Sequence, residues 1–131
     1  RRLISQVIIN LIKNSTEAII TKYKNQDIGV IKIETKNENN SIVITIIDNG
    51  CGLDTDDINK LTEPYYTTRS KGTGLGLAVV KKIIDDHNGK LLLANIKDEE
   101  NNILGTKAVI TISKKLSLNK STMETIWSQI Y

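Results

Sequence analysis

The chain has 131 residues, 39% of them hydrophobic and 25% charged, which is the composition of one soluble domain of ordinary size. Its formal net charge of +3 comes from lysines scattered among acidic residues, so we expect no nucleic-acid-binding surface. The single cysteine, Cys51, excludes an internal disulfide, and no apolar run approaches the roughly 20 residues that a membrane-spanning helix needs.

An amphipathic helix is predicted at the start of the chain, because apolar residues recur at spacings of three and four from Leu3 to about Lys24. Asn10 and Lys13 fall on its polar side, where solvent exposure is one interpretation, and for Lys13 the simpler one. Asn14 lies at the border of the apolar face. There a neutral amide carbonyl can take one position on a magnesium ion whose other ligands are phosphates and water.

Two strands over residues 30–35 and 41–47 are predicted to form an antiparallel hairpin, since both are Ile-rich and a polar turn separates them. The second strand runs into residues 48–52, and a plain turn is one interpretation of that Asn-Gly segment. A binding site is the other interpretation. In it the Asp48 carboxylate accepts from the exocyclic amine of adenine, beside glycines that leave room for a flat ring. A short helix over residues 54–61 follows.

The second half of the chain repeats the pattern of helix and strands. A loop over residues 62–73 precedes a helix over 74–87, and two alternating strands follow at 91–96 and 104–112. The tail, residues 117–131, carries a weak helical pattern. This order predicts an α+β fold of two layers, in which an antiparallel or mixed sheet packs against helices.

The Gly-rich loop over residues 71–77 opens the second long helix, so free backbone N–H groups and the positive end of the helix dipole are placed to meet phosphate. A flexible loop is the alternative. The loop is not a Walker A sequence, because Lys71 precedes the glycines. His87 ends the helix and is interpreted as a C-terminal cap rather than a catalytic group. Cys51 receives no metal or nucleophilic role.

Taken in order, these segments resemble the GHKL ATPase superfamily, and within it the catalytic ATP-binding domain of bacterial sensor histidine kinases of the nitrogen-regulation type. The similar segments are the N box at 10–18, the glycine boxes at 48–52 and 72–77, the lid segment at 63–69, and Gly105-Thr106. The lid departs from the family pattern, which usually has Phe where Tyr65 or Tyr66 stands. The resemblance covers almost the whole chain except the tail.

The resemblance implies a Bergerat-type α/β sandwich over residues 1–116, followed by the tail at 117–131. It implies ATP and Mg²⁺ as cofactors, with adenine on Asp48, magnesium on Asn14 and phosphates against the second glycine box. Asn10 and Asn14 would be the catalytic residues. The implied nucleotide site comprises Lys13, Asn14, Asp48, Gly50, Gly52, Tyr65, Thr68, Arg69, Lys71, Gly72, Thr73, Gly74, Leu75, Gly76, Leu77 and Thr106.

The reaction implied by the resemblance is transfer of the γ-phosphoryl group of ATP to a histidine on a separate dimerisation domain, and then to a response-regulator aspartate. No His followed by an acidic residue and a Pro occurs in the chain, so we expect the acceptor domain elsewhere in a longer, homodimeric protein. We expect this domain to be cytoplasmic, and inner-membrane anchoring of the intact kinase stays open.

Two alternatives share the same sequence boxes. One is a GHKL ATPase that uses ATP as a conformational clamp, and the other is a serine kinase of the anti-sigma type. Clamp ATPases commonly carry Glu at the position of Asn10 to activate water, so Asn10 favours the histidine kinase. A helical hairpin carrying His-Glu or His-Asp upstream of the chain would distinguish it from both.

Overall fold

The computed structural model describes residues 2–24, 27–55, 58–63, 76–113 and residue 129. In chain order its elements are α1 (Arg2–Tyr23), β1 (Ile31–Glu38), β2 (Ser41–Asp48), α2 (Ile58–Leu61), α3 (Gly76–Asp86), β3 (Lys90–Lys97) and β4 (Ile103–Ser113). The predicted order of helices and strands is confirmed. The helix predicted over 54–61 is shorter, because Asp54 and Thr55 lie outside α2.

The four described strands form one sheet in the order β1-β2-β4-β3. The predicted β1–β2 hairpin is confirmed, and β3 and β4 form a second hairpin that joins the first through β2 and β4. All three pairings are antiparallel, so the mixed sheet that the sequence left open is not present in the described residues. Each neighbouring pair of described strands runs in opposite directions, so these pairs need no parallel crossover connection.

The core lies between one face of the sheet and the helices α1 and α3, which gives the two-layer α+β fold that the sequence predicts. Strand β2 alternates strictly, with Ile42, Ile44 and Ile46 buried toward the helices. Val7 of α1 and Val80 of α3 are buried on the facing side. Packing of branched aliphatic side chains therefore holds the two layers together.

Helix α1 is the longest described element, with 22 residues. None of the helices in the described part of the chain combines the length and the apolar character needed to cross a membrane. Near the start of α1, the Ser5 hydroxyl donates to the backbone carbonyl of Gln129 at 2.8 Å, and Gln129 is buried. The rest of the predicted tail helix lies outside the described residues.

Strand β1 is an outer strand of the sheet and is exposed along most of its length. Its outward face alternates basic and acidic side chains. Lys32 pairs with Glu34 at 3.1 Å, and Lys36 pairs with Glu38 at 3.4 Å. All four side chains are more than half exposed, so these ion pairs contribute little to stability.

The connection between β3 and β4 is organised by Asp98. Its carboxylate accepts from the backbone N–H groups of Asn102 and Glu100, each at 2.9 Å, and from the Asn102 amide at 3.2 Å. These bonds, led by the one from the Asn102 backbone, lower the pKa of Asp98 from its ordinary value. Because the folded state favours the ionised form, this contribution is present above the ordinary carboxyl pKa and is lost as the pH falls through the lowered value.

At Gly105, strand β4 lies close to the backbone at the end of β2. A Cβ atom at this position would collide with the carbonyl oxygen of Asp48 and lie 2.9 Å from the Asn49 Cα. We expect Gly105→Ala to lower the free energy of unfolding by about 1–3 kcal/mol, as overpacking does. The measurement is urea denaturation.

Gly76→Ala is the matched control, because a Cβ on Gly76 would have no non-local contact within 4 Å in the described part of the chain. Its stability should equal or exceed that of the parent, since Ala is favoured over Gly in a helix by up to about 1 kcal/mol. Parental stability of Gly105→Ala would contradict the tight β2–β4 contact.

Candidate functional site

A pocket of about 400 Å³, including its open mouth, lies between α1 and the sheet where β2 ends. Its walls are largely aliphatic and its polar groups are few. The aliphatic residues are Leu11, Ala18, Ile46, Leu53, Leu77, Leu93 and Ala108, and the polar residues are Asn14, Ser15, Asp48 and Thr106.

Asp48 supplies the one carboxylate among the described residues of the pocket lining. As the last residue of β2 it continues the inward alternation of that strand, and it is only 5% exposed. Its Oδ1 accepts from the Gly50 backbone N–H at 2.8 Å, whereas Oδ2 receives no hydrogen bond from any residue that the structure describes. The carboxylate is thereby fixed in orientation and keeps acceptor capacity for a ligand.

The turn after Asp48 is pressed against α1. A Cβ atom on Gly50 would lie 2.6 Å from the Ala18 carbonyl carbon and 2.8 Å from the Ile19 nitrogen, so only glycine fits. The Cys51 N–H donates to the Ala18 carbonyl at 3.1 Å. Gly52 has a φ of 85°, which also favours glycine. Gly50 and Gly52 are not among the described residues that line the pocket, and both allow the path that the backbone takes beside it.

Asn49 connects the same turn by hydrogen bonds to the segment that precedes β1. Its Oδ1 accepts from the Val30 N–H at 2.8 Å, and its Nδ2 donates to the Ile28 carbonyl at 3.0 Å. The Asn49 backbone N–H also donates to the Val30 carbonyl at 3.3 Å. The turn is therefore held both to α1 and to the segment that enters β1.

Asn14 projects into the pocket from α1, one helical turn before Ala18. Its Nδ2 is buried and has no hydrogen-bond partner among the residues that the structure describes. A buried amide without a partner costs roughly 1–3 kcal/mol, so it is tolerated mainly where a ligand or water completes it. The two ends of an amide are nearly isosteric, so the same side chain can present either its nitrogen or its oxygen.

The structure brings four of the predicted site residues together around the pocket, namely Asn14, Asp48, Leu77 and Thr106. Asn10 and Lys13 lie on the same helix but do not line the pocket, and Gly76 is the first residue of α3. Eight predicted residues lie outside the described part of the chain: Tyr65, Thr68, Arg69, Lys71, Gly72, Thr73, Gly74 and Leu75.

Several lining residues were missed from the sequence, among them Leu53, Leu93 and Ala108. The alternating pattern of apolar residues in β3 and β4 could have indicated that Leu93 and Ala108 face inward. These two residues are paired in the register of β3 and β4 and face the helices as Asp48 does. Finding them required knowing which strands are neighbours, and one sequence does not show that directly.

The described residues contain no group of three or more His, Cys, Asp or Glu side chains arranged to hold a metal ion. The polar donors of the pocket are instead one carboxylate, one amide and two hydroxyls. This set does not enclose a metal ion by itself. It fits a magnesium ion that receives most of its oxygen ligands from a bound phosphate chain and water, with an amide oxygen as a protein ligand.

A family model described as "Histidine kinase-, DNA gyrase B-, and HSP90-like ATPase" matches residues 1–117. Among curated proteins, the chain is 47% identical over 94 residues to nitrogen regulation protein NtrY of Azorhizobium caulinodans, covering 71% of this chain and 12% of that protein. It is also 47% identical over 92 residues to a putative sensor histidine kinase NtrY-like of Rickettsia bellii, covering 70% of this chain and 14% of that protein. The chain thus spans a small part of the length of these relatives.

Among solved structures, the catalytic domain of histidine kinase ThkA superposes with a TM-score of 0.68 at 31% sequence identity. The match covers 86% of this chain and 66% of that one. The same two-layer arrangement of sheet and helices is therefore present in a histidine kinase catalytic domain.

The buried amide of Asn14 predicts a stability cost in the ligand-free chain. Asn14→Leu keeps the approximate size of the side chain and removes the unpaired group, so it should raise the free energy of unfolding by about 1 kcal/mol. Asn10→Leu on the same helix is the control for the few tenths of a kcal/mol that Leu gains in helix propensity. Both are measured by urea denaturation. Equal stability of the two variants would show that the Asn14 amide is already satisfied.

Proposed function

The chain belongs to the family of histidine kinase-, DNA gyrase B- and HSP90-like ATPases, and on this premise we propose that its pocket binds ATP with Mg²⁺ for phosphoryl transfer to a histidine. The observation that carries the proposal is Asp48. A carboxylate with one oxygen held by Gly50 and the other available lies in an otherwise largely aliphatic pocket. Such a site selects a flat, mostly apolar ligand that offers one N–H donor.

Adenine meets this requirement through its exocyclic amine. Asp48 accepts from that amine, Thr106 lies beside Asp48 in the β2–β4 register, and Leu53 and Leu77 supply apolar walls. Guanine places a carbonyl oxygen where adenine has the amine. Two acceptors would then face each other, so the pocket discriminates against guanine.

The phosphates would extend from this pocket toward the start of α3 and the polar side of α1. Helix α3 begins at Gly76, and its first N–H groups together with the helix dipole favour an anion. Asn14 would give its amide oxygen to Mg²⁺, and Asn10 would line the phosphate-facing side. The bound ion would neutralise the charge that develops on the transferred group, and the residues of this chain would hold the nucleotide in position.

Phosphoryl transfer to a histidine is favoured over hydrolysis because Asn10 cannot act as a general base. The curated relatives include nitrogen regulation protein NtrY and putative NtrY-like sensor histidine kinases. We propose that residues 1–116 form the catalytic domain of such a kinase. Its partners would be the dimerisation and phosphoacceptor domain of the same homodimeric protein and a response regulator, with catalysis in the cytoplasm.

Asp48→Ala tests the adenine assignment. Loss of a hydrogen bond to a charged group costs roughly 1.5–3 kcal/mol, so ATP affinity should fall about tenfold or more, and the parent should prefer ATP to GTP. Calorimetric titration measures both affinities. Asp85→Ala is the control, since Asp85 is exposed on α3 and pairs with Lys81 at 2.7 Å. Equal affinity of the parent for ATP and GTP would contradict the role given to Asp48.

The transfer itself is tested with labelled ATP. The chain alone should remain unlabelled, because His87 is bonded through Nδ1 to the Ile83 carbonyl at 2.7 Å and lies beyond the far end of α3. That helix of 11 residues spans about 16 Å, whereas in-line transfer needs about 3–3.5 Å.

Adding the helical phosphoacceptor domain of the intact protein should give an acid-labile, alkali-stable label on that domain. His87→Gln should transfer equally well. Label that appears on the isolated chain and is lost in His87→Gln would contradict the proposed division between the two domains.

A further inference from the structure

The pocket floor continues past Thr106 to Asn95 on strand β3. In the register of the sheet, Asp48 is paired with Thr106, and Thr106 is paired with Asn95. The three polar side chains thus stand side by side across β2, β4 and β3. Asp48 and Thr106 line the pocket, whereas Asn95 is half-buried at the end of this polar row.

The side chain of Asn95 forms its hydrogen bonds with a single residue, Leu53, of the loop that follows β2. Its Oδ1 accepts from the Leu53 N–H at 2.7 Å, and its Nδ2 donates to the Leu53 carbonyl at 3.0 Å. Leu53 is 42 residues earlier in the chain and belongs to no helix or strand. The Asn95 amide therefore supplies the donor and the acceptor that a neighbouring strand would have supplied.

We propose that Asn95 is a positioning residue for the nucleotide base, which acts by holding Leu53 as a wall of the pocket. The inference rests on the proposed function, because it names a residue that shapes the site in which the base would bind. Leu53 lines the pocket, and its backbone is fixed on both polar atoms by Asn95 alone among the described residues. A wall that is fixed before binding spares the ligand the entropic cost of ordering it.

The loop is fixed from its other end as well. Cys51 is bonded to α1, and a Cβ on Gly52 would lie 2.7 Å from the Asn95 Oδ1, so the backbone passes directly over the Asn95 amide. Only a planar amide with one donor and one acceptor matches the two polar atoms of Leu53 at this separation. Aspartate keeps the acceptor but would turn a carboxylate oxygen toward the Leu53 carbonyl.

Nucleotide affinities of the full chain separate positioning from a merely structural role. In Asn95→Leu, adenosine and ATP should both bind more weakly by the same factor, about tenfold, because the loss concerns the base. The ratio of ATP affinity with and without Mg²⁺ should stay at the parental value. Asn95→Asp, which preserves size and so is less disturbing to the fold, should weaken adenosine by at least as much.

Asn102→Leu is the matched control, since it removes an asparagine hydrogen bond of 3.2 Å to Asp98 outside the pocket. Its adenosine affinity should equal that of the parent. Parental adenosine affinity in both Asn95 variants, or a loss confined to the magnesium-dependent part, would overturn the inference while leaving the proposed function intact. A parent chain that binds no adenosine or ATP would overturn the proposed function and this inference with it.

Discussion

The contact between the Gly50 turn and helix α1 sets the geometry of the whole site. A Cβ on Gly50 would lie 2.6 Å from the Ala18 carbonyl carbon and 2.8 Å from the Ile19 nitrogen, so the turn approaches the helix this closely only because Gly50 has no side chain. The Cys51 N–H donates to the Ala18 carbonyl. Asn14 lies one turn earlier on that helix. This backbone contact therefore holds the helix that carries Asn14 beside the end of the strand that carries Asp48.

The pocket differs from the core in that some of its buried polar groups lack hydrogen-bond partners in the described part of the chain. In the core, aliphatic side chains pack together in the space between the layers. At the mouth, a buried amide on Asn14 and one oxygen of Asp48 have no partner among the described residues. Natural proteins leave polar groups unsatisfied mainly at functional sites, which supports the binding role proposed for this pocket.

The element order followed from the sequence because the signals are local. The alternation of β2 and the helical spacing of α1 each lie within one segment, and Asp48 and Asn14 were found as the polar residues that interrupt or border those patterns. Asn95 gave no such signal, because its partner Leu53 is 42 residues away and the two meet only through the β3–β4–β2 register. The contact of the Gly50 turn with α1 also gave no local signal, since it is a tertiary contact.

Among the described strands, β1 lies at one edge of the sheet, and an edge strand can offer unpaired backbone groups to another extended chain. The alternating Lys32, Glu34, Lys36 and Glu38 lie along this edge. A second chain that added itself there would have to match this pattern of opposite charges or bury like charges against each other. Charged side chains on an edge strand disfavour its pairing with a further strand.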